Sequence, residues 1–377
     1  MNWIRVLLVQ FTVAVCIFFA ADYSYTNFFR VEDGQEYVYR VRHDVYHHTL
    51  LPSFNGFGNW DTQPYRICTD GSGFKSDCDE VLETQKSFDI AFIGDSFTEA
   101  VGLPYEDSFV GMFALDNPQL NIANLGVSSY APTVYRAKIE DLITNGYTFN
   151  HIFVFLDISD IQDESDYYRD SNGSILKGPN AAVTTNPHLL RLKSDVSNNF
   201  FLFKTAYLTI KNAYLTIKNA YLTIKNAPLE NGLNNVPKDV FSLERSEWTY
   251  NSSSTAYGDL GVRGAIEKAV QEMTLLYELL EENNIGLSVG VYPWPAQLYK
   301  MNEANSDSNL QSSIWKEFCL ERCENFVDMF PQYYQLVRNS TLEKIYRNYY
   351  IQGDVHFNRE GNRLIYRSLS TAVNSEE

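Results

Sequence analysis

The stretch FDIAFIGDSFTEAVG, Phe88 to Gly102, decides how this chain is read. Its opening is apolar apart from Asp89, as expected of a strand buried on both faces. It then breaks into Gly94-Asp95-Ser96. Gly-Asp-Ser is good turn chemistry wherever a strand must reverse, but at the carboxyl end of a strand the same turn lifts a hydroxyl out of the sheet edge. Which reading holds depends on what surrounds the stretch.

Further apolar runs follow: LNIANLG (120–126), HIFVFLD (151–157), IGLSVGVYP (285–293) and NFVDMF (325–330). Helical periodicity lies between and after them, at Tyr105–Leu115, Thr133–Thr144, Val262–Glu282, Leu310–Leu320 and Arg359–Ala372. Strand and helix in alternation predict a five-stranded parallel sheet with helices on both faces, a doubly wound α/β fold of the flavodoxin-like kind spanning 87–377. Residues 22–86 read as an irregular lead-in. An insertion is expected over 161–257, and inside it Tyr207–Ala227 is three identical YLTIKNA heptads, with a degenerate copy before them, so that the repeats cover 200–227. On a helix these put Tyr and Ile at a and d, with Lys204, Lys211, Lys218 and Lys225 in one stripe. A tandem duplication that lengthened a surface helix explains this; a helix lying on a membrane surface is the alternative.

Ligands of an open parallel sheet bind beyond the carboxyl ends of its strands. The first strand ends at Ser96, the second adds Asn124, Gly126 and Tyr130, and the third adds Asp157, Ser159 and Asp160. Asp354 and His356 precede the last helix. A serine hydroxyl needs a base to take its proton, and a histidine near neutrality needs a carboxylate to hold its tautomer. A tetrahedral intermediate needs donors, which the Ser96 and Gly126 amides and the Ser159 hydroxyl are placed to supply. Trp294, after the fourth strand, offers either a sugar-stacking face or core packing.

GDS after the first strand, Asn124-x-Gly126 after the second, a polar-Asp pair after the third, and Asp and His ahead of the last helix together resemble the blocks of the SGNH, or GDSL-type, hydrolases and acyltransferases. The resemblance implies Ser96 as nucleophile, His356 as base, Asp354 as its orienting partner and Gly126 as oxyanion donor. It implies acyl-ester chemistry, commonly on carbohydrate acetyl groups, with no cofactor. Two blocks depart from the pattern. Ser159 stands where the family usually has Asn, and one residue, Val355, separates Asp354 from His356 where two are usual. The shorter spacing resembles the membrane-linked branch that acetylates exopolysaccharides, which would add a membrane-bound acyl-transfer partner. A non-catalytic glycan-binding or assembly subunit with the same fold is the alternative.

The remaining features bear on compartment and partners. Val6–Ala21 is apolar, with Arg5 as its positive flank, and 1–21 reads as a transmembrane or signal anchor. Cleavage is disfavoured because bulky Phe18 or Phe19 would sit three residues before the cut. The rest is expected outside the cytoplasm, where Cys68, Cys78, Cys319 and Cys323 would be oxidised, with local pairing the simplest of three choices. A net charge of -17 without a basic cluster argues against nucleic acid as a partner. Asp157, Asp160, Asp163 and Glu164 read as capping and solvated charge rather than a cation site, and His43, His47 and His48 as surface or packing residues.

Overall fold

The computed structural model describes residues 2–25, 39–60, 63–79, 84–178, 246–251, 257, 260–304 and 309–374. They fall in two compact units. The first, Met1–Gly34 with Thr184–Leu233, has one described element, helix α1 (Asn2–Ser24). Its stretch Arg5–Ser24 is, among the described residues, the one helix long and apolar enough to cross a membrane. The heptads of 200–227 lie outside the described residues.

The second unit, Gln35–Val183 with Asn234–Glu377, holds the sheet. An antiparallel hairpin of β1 (Arg40–His43) and β2 (His47–Leu50) precedes it. The sheet starts with β3 (Asn55–Trp60), β4 (Gln63–Thr69) and β5 (Lys75–Ser76), paired antiparallel. β6 (Ser87–Ile93), β7 (Ile122–Asn124) and β8 (Thr148–Leu156) follow. A second hairpin, β9 (Tyr167–Arg169) and β10 (Ile175–Lys177), precedes β11 (Gly286–Val291) and β12 (Asn325–Asp328). The sheet order is β12-β11-β8-β6-β7-β5-β4-β3. Its five parallel strands are the predicted ones. β6 lies between β7 and β8, with Ala91 opposite both Ala123 and Ile152, so the strand ending at Gly94 sits where the order reverses.

Helices α2 (Ser96–Glu99) and α3 (Phe109–Asp116) follow β6, α4 (Pro132–Thr144) follows β7 and α5 (Ile158–Asp166) follows β8. Then come α6 (Gly261–Glu282), α7 (Pro295–Ala304), α8 (Leu310–Cys319), α9 (Phe330–Arg338), α10 (Leu342–Tyr349) and α11 (Arg359–Asn374). α3 packs with α11, while α4 and α5 pack with α6, which covers both faces. The core between them is aromatic: the Phe92 ring meets those of Phe109, Phe113, Phe153 and Phe155.

Three expectations change. The lead-in is not irregular, because its strands extend the parallel sheet into a mixed one of eight. The helix expected from Tyr105 starts at Phe109, where the Ser108 hydroxyl accepts from Gly111 N and caps it. The chain also does not leave the fold at Ile161, since α5 and the β9–β10 hairpin continue through Lys177. Cys68 is bonded to Cys78 and Cys319 to Cys323, the local pairings.

Candidate active site

Ser96 is the first residue of α2, immediately beyond β6. The chain turns this sharply because position 94 is glycine: a Cβ there would lie 2.1 Å from Thr98 Oγ1 and 2.9 Å from the Phe155 carbonyl oxygen. Asp95 caps the helix by accepting from Phe97 N at 3.0 Å. The first amides of a helix have no partner within it, and among the described residues no hydrogen bond occupies Ser96 N–H.

The loop between α10 and α11 supplies the other two groups. Tyr346 Oη is its hub, accepting from Gly353 N and Asp354 N and lying 3.0 Å from the Ile351 carbonyl oxygen. His356 Nε2 lies 2.8 Å from Ser96 Oγ, and His356 Nδ1 lies 3.0 Å from Asp354 Oδ1. Asn358 caps α11 just beyond, as Glu360 N and Gly361 N donate to its Oδ1. The cap and the histidine therefore share one loop. The His356 ring is buried between Phe97, at 4.5 Å, and the edge of Trp60, at 5.0 Å between centroids.

Trp60 was not anticipated. It ends β3, and its indole N–H donates to Asp354 Oδ2, on the side of the carboxylate away from His356. Burial raises the Asp354 pKa. The His356 hydrogen bond and charge, the Trp60 indole and the Val355 amide outweigh that and hold it at about 2. The Asp354 carboxylate is thus ionised at neutral pH and fixed on both oxygens. β1 contributes as well: Arg40 forks onto buried Glu99 at 2.6 and 2.7 Å, and Glu99 also accepts from Ser128 N at 2.7 Å.

A cavity of about 560 Å³ opens on the three groups. Ser128, Ser129, Ser159, Gln162 and Asp163 give it polar walls, and Trp60 stands on its rim. Ser129, on the cavity wall, holds a left-handed backbone at φ 63°, a conformation that costs a serine energy. A smaller cavity of about 290 Å³ on the other side of Trp60 is lined by Arg347, Tyr350 and Gln352.

Other expected site residues lie elsewhere. Gly126 N donates to Asn124 Oδ1 at 3.0 Å, so the amide expected as an oxyanion donor is occupied. Its missing Cβ instead lets the chain pass under α2, where an added carbon would sit 2.6 Å from Glu99 N. Asn124 also donates to the Thr98 carbonyl at 2.9 Å, is buried, and does not line the cavity around Ser96. Tyr130 is fully buried and donates to the His48 carbonyl at 2.6 Å. Trp294 reaches the cavity, but it is 4% exposed and its indole donates to Asp157 Oδ2 at 2.7 Å, so it is a packing residue rather than an open stacking face. Ser159 Oγ does face the cavity. It lies 2.7 Å from Asp157 Oδ1 and 3.1 Å from Asp95 Oδ2, against two carboxyls rather than open to a substrate oxygen.

The remaining acidic and histidine residues have structural partners. Asp157 and Asp160 form a capping box on α5, Asp163 pairs with Lys177 at 2.6 Å, and Glu164 accepts from Thr133 N and pairs with Lys268. His48 is packed against the rim, its Nε2 2.8 Å from the Ser128 carbonyl oxygen. Burial lowers His48 to about 3 and His47 to about 4, so neither is charged at neutral pH.

Among solved structures, the chain is similar to a lipolytic protein of the G-D-S-L family from Veillonella parvula, at 11% identity over 76% of this chain and 98% of that one, with a TM-score of 0.38. It is similar to the psychrotrophic esterase EstA from Pseudoalteromonas sp., at 10% identity over 77% and 98%, with a TM-score of 0.35. A catalytic mutant of an acetylxylan esterase from Geobacillus stearothermophilus matches at 11% identity over 77% and 94%, with a TM-score of 0.38. No family model and no curated protein matches the chain. At these identities and TM-scores the likeness carries nothing about activity.

Proposed function

We propose that this chain is a serine-dependent enzyme of acyl-ester chemistry that acts on acylated carbohydrate outside the cytoplasm. The observation that carries the reading is the hydrogen-bonded series Ser96–His356–Asp354 opening into a polar cavity. Ser96 Oγ attacks the acyl carbonyl while His356 Nε2 takes its proton, and Asp354 steadies the imidazolium that forms. Ser96 N–H faces the developing oxyanion. As the tetrahedral intermediate collapses, His356 returns the proton to the departing alkoxide. Water or a sugar hydroxyl then releases the acyl group by the same steps in reverse. None of these steps uses a metal or cofactor.

The walls support the substrate class. Serines, a glutamine and an aspartate suit hydroxyl-rich ligands, and an indole on the rim suits the apolar face of a sugar ring. A second cavity beyond Trp60 leaves room for further residues of a polymer. Helix α1 fits an anchor for a body exported with two disulfides. An anchored body of this kind would suit a membrane-bound partner supplying the acyl group.

One observation favours a second reading, a non-catalytic glycan-binding or assembly subunit. The Gly126 amide is already bonded and the Ser159 hydroxyl lies against carboxyls, which leaves the oxyanion hole with few donors. A fluorophosphonate probe separates the two. The enzyme reading expects covalent labelling that Ser96→Ala abolishes, with turnover of an aryl acetate that rises when an oligosaccharide acceptor is added if the chain is a transferase. Wild-type protein that neither labels nor turns over would leave the binding reading standing.

A further inference from the structure

Asp95 lies directly behind Ser96, is 2% exposed and lines the same cavity, and among the described residues no cation pairs with it. Its Oδ1 accepts from Phe97 N at 3.0 Å and Tyr292 Oη at 3.4 Å. Its Oδ2 faces two hydroxyl oxygens, Ser159 Oγ at 3.1 Å and Ser96 Oγ at 3.3 Å. Each hydroxyl has one proton to give. Ser96 is closer to His356 Nε2, at 2.8 Å, and Ser159 is closer to Asp157 Oδ1, at 2.7 Å. With both hydroxyl protons committed to those nearer acceptors, Asp95 Oδ2 is left against two oxygens with no hydrogen between, unless it brings its own.

Burial raises the pKa of Asp157 as well, but its hydrogen bonds make it the poorer carrier of the extra proton. Its Oδ1 already takes Ser159 N at 2.6 Å as well as Ser159 Oγ, and its Oδ2 takes the Trp294 indole at 2.7 Å. A carboxyl so surrounded by donors is an ionised one. Two ionised carboxylates sharing one hydroxyl in a buried site would repel each other without compensation.

We propose that Asp95 is held as the neutral acid, its Oδ2–H donating to Ser159 Oγ while Ser159 donates on to an ionised Asp157. Asp95 is then a positioning residue: it orders Ser159 and keeps a second negative charge away from the oxygen that becomes anionic in the Ser96 intermediate. Burial first, and then the charge of Asp157, push the Asp95 pKa well up, which agrees with the proton count. The groups that face it are Ser96 and Tyr292, Asp157 and Ser159 at the start of α5, with Asp160 and Asp163 behind them, Tyr135 from α4, and His356 across Ser96. The proton count uses the Ser96–His356 contact and gives the proposed acyl chemistry its charge state, so its consequence for rate rests on that reading.

The test reads the proton without requiring activity. Isotope-edited carboxyl NMR of the full chain labelled at aspartate Cγ should show a protonated aspartate at neutral pH whose signal is missing in Asp95→Asn and retained in Asp157→Asn. Asparagine keeps the acceptor for Phe97 N and offers a permanent donor to Ser159. On an aryl acetate, Asp95→Asn should therefore lose the alkaline fall in kcat/KM that ionisation of Asp95 causes. If Asp95→Asn does not fold, Asp95→Ser, which keeps a helix cap, serves for the assignment. A wild-type spectrum with every aspartate ionised at neutral pH overturns the proposal whatever either variant does. So does a spectrum in which no protonated signal is lost when Asp95 is replaced. A wild type that shows the Asp95 proton but turns over nothing sinks the enzyme reading and leaves the proton assignment standing.

Discussion

Trp60 shows how much one side chain from a distant strand can decide. Its indole donates to the Asp354 oxygen that His356 does not use, so the carboxylate cannot rotate away from the imidazole. A hydrogen bond to a charged group is worth about 1.5–3 kcal/mol, so Trp60→Phe, which keeps the ring edge against His356, should lower kcat/KM on an aryl acetate by about tenfold or more. The same bond carries a pH signature. Asp354 has its folded pKa depressed from 3.8 to about 2, so the stability it contributes is present above 3.8 and is lost as pH falls through about 2. The stability gap between wild type and Trp60→Phe, measured by urea unfolding, should therefore be the same near pH 7 and about pH 5. A gap that closes over that interval would mean the carboxyl is not held down.

At the scale of elements, what was legible follows from how each element announces itself. The five parallel strands are buried on both faces and read as apolar runs, and their carboxyl ends place Ser96, Asp157 and Ser159 without further information. The strands β3 to β5 send no such signal. NGFGNW carries two glycines, QPYRICT contains a proline, and KS is two residues long, so neither alternation nor an apolar run marks them. Trp60, at the end of β3, was invisible for that reason. The glycine after the second strand misled in the opposite sense: Gly126 is required by the close approach of α2, a steric role that leaves the same letter in the sequence as an oxyanion donor. The unanticipated strands are stapled. Cys68–Cys78 joins β4 to the chain just past β5, closing a loop of 10 residues, worth about 2–3 kcal/mol in the chain-entropy model. Replacing both cysteines by serine should lower the stability of the folded body by about that amount in urea unfolding, and should lower activity more than replacing Cys319 and Cys323, because only the first bridge braces the strands that carry Trp60. Equal losses of activity for the two pairs would show that β3 does not depend on it.

For the whole molecule the decisive point is that everything proposed to act on substrate belongs to one compact unit. Ser96, His356, Asp354 and Trp60 all fall within Gln35–Val183 and Asn234–Glu377, while α1 belongs to the other. The sheet's order brings residues 96 and 159 together beyond the carboxyl ends of β6 and β8, because β6 has neighbours on both sides that run the same way and the switch in order opens a crevice there; His356 reaches it from the loop before α11 and Trp60 from β3. Chemistry and attachment are therefore separable. A chain lacking residues 1–24, directed to an oxidising compartment by a cleavable leader, should leave the membrane fraction and turn over a small aryl ester at a rate within about twofold of the full-length chain, since the groups proposed to act all lie in the other unit. If an acyl group reaches the enzyme from a partner in the membrane, the same truncation should cost far more with the native donor than with the soluble ester. The ratio of the two losses, measured on one preparation, separates an anchor that merely holds the enzyme from one that delivers it to its acyl source; equal losses would place the dependence on α1 in the folded body itself and would contradict the separation argued here.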